Sequence, residues 1–186
     1  MQKTNLKRGF TLIEIMVASS IFVIIIMLSS GSILTIFDAN QKSKNLRSSM
    51  DNLNFTLESM TRAIRFGSSY HCSSSNPPTS SPRDCDDNQA GSSTFYFLDD
   101  AGNQVRYTLN SGTIYRSING SSDYALTSSD ITIDKLTFRV YGSAIYPDLF
   151  QPQVIIVISG HVGTKAFTNS TFTLHTSISQ RRFDFQ

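Results

Sequence analysis

A run of 23 residues, 15–37, contains no charged side chain, and a carboxylate, Glu14, stands immediately before it. At about 1.5 Å rise per residue the run is about 35 Å long as a helix, enough to cross a hydrocarbon core of about 30 Å. A single span must satisfy its backbone groups internally, which leaves helix as the only form. Lys3, Lys7 and Arg8 precede the run with no acid among them, an asymmetry that holds the N-terminus on the cytoplasmic side. A carboxylate at mid-helix in such a segment costs about 2.5–3.5 kcal/mol, so Glu14 asks for a partner charge. A secretory signal peptide would explain the basic flank and the small residues Ser29 and Gly31. The apolar run, however, continues through Ile33, Leu34, Ile36 and Phe37, beyond the about 7–15 residues of a signal h-region. A plain signal anchor would leave Glu14 without a use.

The segment Arg8-Gly9-Phe10-Thr11-Leu12-Ile13-Glu14, with the apolar run after it, resembles the prepilin signature of type IV pilins and of the pseudopilins of type II secretion. The resemblance implies a leader over residues 1–9, cleavage between Gly9 and Phe10 by a prepilin peptidase/methyltransferase, and N-methylation of the new Phe10 terminus. Glu14 becomes the fifth residue of the mature chain. It also implies an inner-membrane assembly platform and other pilin subunits in a filament as partners, beside the lipid bilayer. The Glu14 carboxylate of one subunit would meet the Phe10 amine of a neighbour. Removing one member of a buried ion pair costs about 3–5 kcal/mol, so such a pair sets axial stagger. Major pilins often carry a proline in this span, and here Ser29-Ser30-Gly31-Ser32 stands in its place. That stretch is either a point where the helix loosens, Gly being about 1 kcal/mol worse than Ala in a helix interior, or a small-residue surface for close helix packing.

Beyond the assembly half, 10–37, the pattern changes. Leu46, Met50, Leu53, Leu57, Met60 and Ile64 recur at steps of four and three, one apolar stripe at helical period. Glu58 and Arg62 are an i,i+4 pair, Arg62 and Arg65 suit the C-terminal end of a helix dipole, and Gly67 is placed as a C′ glycine. Residues 38–66 thus read as an amphipathic continuation of one long helix, its stripe facing a β-sheet of the same chain.

Cys72 and Cys85 bracket a Ser-, Pro- and Asn-rich loop. An exported domain permits a disulfide there, and closing a loop of this size stabilises by about 3 kcal/mol. A metal site on His71, Cys72 and Cys85 lacks a Cys-x-x-Cys pair or a second His cluster. Strand signals follow over 94–98, 104–109, 113–118, 136–140, 154–158 and 172–178, with turns at 99–103, 110–112 and 119–120. Residues 154–158, Val-Ile-Ile-Val-Ile, predict a central strand covered on both faces. Pro147 and Pro152 keep the segment before it out of the sheet. The expected fold is α+β, a long N-terminal helix packed on an antiparallel β-sheet, pilin-like. Residues 67–186 hold the disulfide loop and sheet, and 38–186 form one soluble domain.

No catalytic constellation is visible. His71, His161 and His175 are scattered, and no nucleophile elbow, phosphate loop or zinc helix exists. His175, on the polar face of a strand, reads as solvated. Asp84, Asp86 and Asp87, or Asp99 and Asp100, could offer oxygens to Ca2+, but neither run supplies the six to eight the ion takes, and turn chemistry explains both. No cofactor is expected. Lys3, Lys7 and Arg8 fall in the leader, leaving 13 Lys+Arg against 14 Asp+Glu. A near-neutral domain lacks the footprint of a nucleic-acid partner. Asn54, Asn119 and Asn169 begin Asn-x-Ser/Thr sequons.

The resulting expectation is a non-enzymatic minor pilin, inserted once in the cytoplasmic membrane with its N-terminus inside and its soluble domain outside, then drawn into an extracellular or periplasmic filament. Minor status follows from the missing proline, the large soluble domain, and a tail, Gln151–Ile156 and Thr176–Arg181, that loosely resembles minor pilins and J-type pseudopilins. The alternatives are a minor pseudopilin of a type II secretion system and a membrane-anchored surface adhesin or binding domain.

Overall fold

The computed structural model describes residues 9–72, 82–85, 91–143, 150–163 and 170–181. The chain forms two compact units, Met1–Lys44 and Asn45–Gln186. Helix α1, Leu12–Phe66, contributes to both. It is unbroken at Ser29–Ser32, so Gly31 does not interrupt it, and nothing lies within 4 Å of where a Gly31 Cβ would stand.

In the second unit α1 buries Ser49, Leu53, Thr56, Met60 and Ile64. The buried stripe follows helical period but is not purely apolar. Leu46 and Leu57 pack at its margin, while Ser49 and Thr56 sit inside it. Thr56 Oγ1 donates to Leu126 O at 2.9 Å and lies 3.0 Å from Asn52 O. Asn52 Oδ1 accepts from Ser128 N–H at 3.2 Å. These polar side chains satisfy backbone groups of the loop that precedes β6, which is why burial does not penalise them.

Eight strands follow: β1 Ser68–His71, β2 Thr94–Leu98, β3 Gln104–Asn110, β4 Thr113–Ile118, β5 Tyr124–Ala125, β6 Ile131–Tyr141, β7 Gln153–Val162 and β8 Ser170–Ser179. They make two antiparallel sheets instead of the single one expected, β1-β2-β3-β4-β5 and β6-β7-β8. The turn between β3 and β4 has positive φ at Ser111 (47°) and Gly112 (78°), the two-residue type I′ geometry that suits twisted hairpins. A bridge between Ser92 and Phe138 links β6 to the segment before β2, and the rings of Phe95 and Phe138 stack at 5.0 Å. Around them lie Tyr70, Phe97 and Tyr107, an aromatic core shared by both sheets.

β7 is central, as expected, but it is not covered on both faces. Val154, Ile156 and Ile158 are fully buried while Ile155 and Val157 are half-buried. Ile155 stands between Arg139 and Ser177, and Val157 between Thr137 and His175; lateral neighbours of this kind shield an apolar side chain in part.

Gly67 ends α1, but not as an αL cap, because its φ is not positive. A Cβ there would stand 2.5 Å from Cδ2 of Phe97 and 2.8 Å from Leu98 O; close approach to β2 demands the glycine. The helix-terminal carbonyls are satisfied from elsewhere. Tyr70 Oη lies 2.6 Å from Ile64 O, and Arg181 N–H donates to Arg65 O at 2.9 Å. The Arg181 guanidinium also lies 5.5 Å over the Phe66 ring.

Candidate functional site

The site is the start of α1 and the peptide bond before it. Gly9, Phe10 and Thr11 lie outside the helix, and Phe10 is 78% exposed. Thr11 is the N-cap: its Oγ1 accepts from Glu14 N–H at 3.3 Å, and its carbonyl accepts from Glu14 N–H at 3.1 Å and Ile15 N–H at 3.3 Å. A hydroxyl that bonds the N–H three residues on is what starts a helix at this point, and Thr11-x-x-Glu14 has the capping-box spacing. The Gly9–Phe10 bond is therefore exposed and non-helical, two residues ahead of a fixed helix start. Glu14 lies in the first turn, where a carboxylate suits the helix dipole. Among the described residues its carboxylate has no hydrogen-bond or ion-pair partner.

Past Glu14 the helix is apolar on every side. Ile15, Val17, Ile21, Phe22, Ile24, Ile25, Leu28, Ile33, Leu34 and Phe37 are all exposed. Among the described residues one helix is long and apolar enough to cross a membrane, and its most apolar window has no buried residue. Five hydroxyls within it are turned onto their own backbone: Ser19 to Met16 O, Ser20 to Val17 O, Ser30 to Ile26 O, Ser32 to Leu28 O and Thr35 to Gly31 O, at 2.8–3.4 Å. These five hydroxyls are thereby satisfied inside the helix, as lipid requires.

The Cys72–Cys85 disulfide is formed, with Cα atoms 5.4 Å apart. Cys85 is buried, and Cys85 N–H donates to Val140 O at 3.0 Å while Arg83 N–H donates to Tyr70 O at 3.1 Å. The far end of the loop is thus laced to β1 and β6. Beside it His71 is 1% exposed and stacked on Tyr96 at 5.3 Å, and among the described residues neither ring nitrogen has a hydrogen-bond partner. Burial pushes its pKa below 6.5, and the positive charge of Arg83 pushes the same way. Sequence reading gave His71 no role of its own; nothing in Ser-Tyr-His-Cys signals a buried imidazole.

The other candidate groups do not converge. His161 Nδ1 lies 3.1 Å from Asp134 Oδ2, at the bulge that shifts the β6–β7 register between Ile133 and Lys135. His175 is exposed. Asp99 Oδ1 accepts from Ala101 N–H at 3.0 Å and Asn103 N–H at 2.8 Å, which is turn chemistry. Asp84 Oδ1 accepts from Ser143 N–H at 2.7 Å, and Asp86 and Asp87 lie outside the described residues. Among the described residues no three His, Cys, Asp or Glu side chains come together.

Residues 4–30 match the family model described as a prokaryotic N-terminal methylation motif, the signature of type IV pilins and pseudopilins. The match takes in residues 4–9, the Gly9–Phe10 bond, Glu14 and the first part of the apolar run. Neither a curated protein nor a solved structure matches the chain.

Proposed function

We propose that this chain, which carries the methylation signature over residues 4–30, is a minor pilin of a type IV pilus-like filament. A prepilin peptidase cuts between Gly9 and Phe10, Phe10 is methylated, and the helix carries the subunit from the cytoplasmic membrane into the fibre. The observation that carries this reading is the pairing of an exposed, non-helical Gly9–Phe10 bond with a Glu14 that has no partner among the described residues, on an otherwise apolar helix surface. Cleavage frees an amine four residues from the acid. Within one helix the two point along the same chain end, whereas between staggered neighbours the carboxylate can reach a second subunit's amine. In an apolar setting such a pair is favoured over either charge alone, so it selects stagger, while apolar contact supplies the attraction between helices.

The soluble unit has the character of a recognition or contact module: a disulfide-laced β-domain without a convergent set of reactive groups among the described residues. The minor role rests on the unbroken, proline-free span and the size of this domain. Residues 151–156 and 176–181 loosely resemble the tail of minor pilins and of J-type pseudopilins alike, which supports the minor role and admits a second reading, a minor pseudopilin of a type II secretion system, in which the same N-terminal chemistry operates.

Two measurements test the proposal. Peptide mass spectrometry of the protein from native membranes is expected to find a mature N-terminus at methylated Phe10. Glu14→Ala is expected to insert normally yet be absent from sheared filaments, with subunit content in that fraction reduced at least about tenfold, as loss of a pair worth more than 1.4 kcal/mol requires. An intact Met1 terminus, or normal incorporation of Glu14→Ala, rules the reading out in favour of an anchored surface domain.

A further inference from the structure

α1 presents a second face beside its buried stripe. Phe55, Glu58, Arg62 and Phe66 follow one another at steps of three and four, so they share one side of the helix. With Ala63 and the β2–β3 turn at Asp100 they line an open groove of about 580 Å³. Its floor is apolar, for Phe55 is 73% and Phe66 39% exposed, with Ala63 between them along the helix. Its rim is charged. The Asp100 carboxylate has no hydrogen-bond or ion-pair partner among the described residues. Arg62 meets Glu58 through an exposed contact at 3.4 Å, a kind of pair that holds weakly. An apolar surface rimmed by charge has the character of a binding surface. The chain itself arrives at one end of it. Arg181 donates its N–H to Arg65 O and lays its guanidinium 5.5 Å over the Phe66 ring. Residues 182–186, which lie outside the described residues, read Arg-Phe-Asp-Phe-Gln.

We infer that this groove is the docking site of residues 182–186 of the same chain, with Phe183 and Phe185 on the apolar floor, Arg182 against Asp100 and Asp184 against Arg62. Reach, pattern, charge and tethering each select this occupant. From Phe66 back to Phe55 the helix rises about 16 Å, and five extended residues leaving Arg181 cover about the same length. Successive side chains of an extended segment point to opposite sides, so Phe183 and Phe185 share one side, at the levels of Ala63 and Phe55. The charged residues of the segment match the rim in order. Arg182 comes first, beside the turn that adjoins the end of α1, and Asp184 follows within reach of Arg62. The segment is also joined to a residue already seated at the groove, and a short connection gives it an effective concentration of about millimolar, far above that of a second copy in dilute solution. All of these residues belong to the second unit, so the contact stands whether or not the chain enters a filament.

The test uses the full chain in detergent micelles, with the photoreactive analogue p-benzoylphenylalanine in place of Phe183. Irradiation is expected to join position 183 to a residue within 55–66 or 99–101 of the same chain, mapped by peptide mass spectrometry, in a protein that still migrates as a monomer. Phe55 and Asp100 are exposed, so changes there leave the core untouched. Phe55→Ser and Asp100→Lys are each expected to lower the yield about threefold, with an unchanged circular dichroism spectrum. Adding Arg182→Glu to Asp100→Lys reverses both charges of that pair and is expected to restore the yield, an effect that a general loss of structure cannot mimic. Joining to a second chain, joining elsewhere on the same chain, or no joining at all overturns the inference. So does a yield that both single changes leave alone, or one that the double reversal fails to restore.

Discussion

A single hydroxyl decides where the functional helix begins. Thr11 caps the N–H of Glu14, so the acid enters the first turn and the Gly9–Phe10 bond stays outside the helix. The Thr11-x-x-Glu14 spacing is legible in the sequence; the bond that makes it a cap is not. His71 is the opposite case, a residue with no sequence signal and a consequence for stability. Its unfolded reference is 6.5, and burial, followed by Arg83, lowers the folded value. Between those two values the unfolded chain binds more protons than the folded one. Stability is therefore complete above pH 6.5 and is lost as pH falls through that window. His71→Phe keeps a ring on Tyr96 and removes both buried nitrogens. Its melting temperature is expected to fall less between about pH 7 and about pH 5 than that of the parent, a comparison that thermal circular dichroism makes directly. An equal fall in both proteins would place the acid sensitivity elsewhere.

At the scale of elements, the junction between α1 and β1 is tightly determined. Gly67 is required by the nearness of Phe97 and Leu98, not by its φ. Gly67→Ala pushes a methyl against a backbone carbonyl that cannot yield as a side-chain tip would, and is expected to destabilise the domain by about 1–3 kcal/mol in a urea titration. The disulfide acts mainly on the unfolded chain. Cys72 and Cys85 are 13 apart in sequence, so the double change Cys72→Ser with Cys85→Ser is expected to lose about 3 kcal/mol without altering the sheets; a reduced midpoint with native circular dichroism at low urea is the measurement. The strands over 94–98 and 113–118 coincide with the sequence pattern because each is bounded by strong turn residues. β1 and β5 escape that pattern: β1 follows the helix directly with no turn signal, and β5 is only two residues long, paired with Tyr115 and Arg116.

At the scale of the molecule, Phe138 holds the two sheets of the second unit, Asn45–Gln186, as one. It lies in β6, exchanges both backbone bonds with Ser92 at 2.7 and 2.9 Å, and stacks on Phe95 of the other sheet. Phe138→Ala is expected to cost about 3–5 kcal/mol while unfolding remains a single transition by near-ultraviolet and far-ultraviolet signals; two separated transitions would show that the sheets are independent. The sequence by itself determined the membrane-competent helix, the methylation signature and the α+β order, because each depends on a continuous stretch of chain and on demands that lipid or helical period impose locally. Only the tertiary structure decided that the strands divide into two sheets and that Thr56 and Asn52 belong to the buried side of α1. It likewise decided that β7 is half-covered on one face and that β8 lies at the end of its sheet. Those outcomes turn on partners far along the chain, 70 and 76 residues away for Thr56 and Asn52, and hydrogen-bond satisfaction at that distance leaves no periodic trace in the residues themselves.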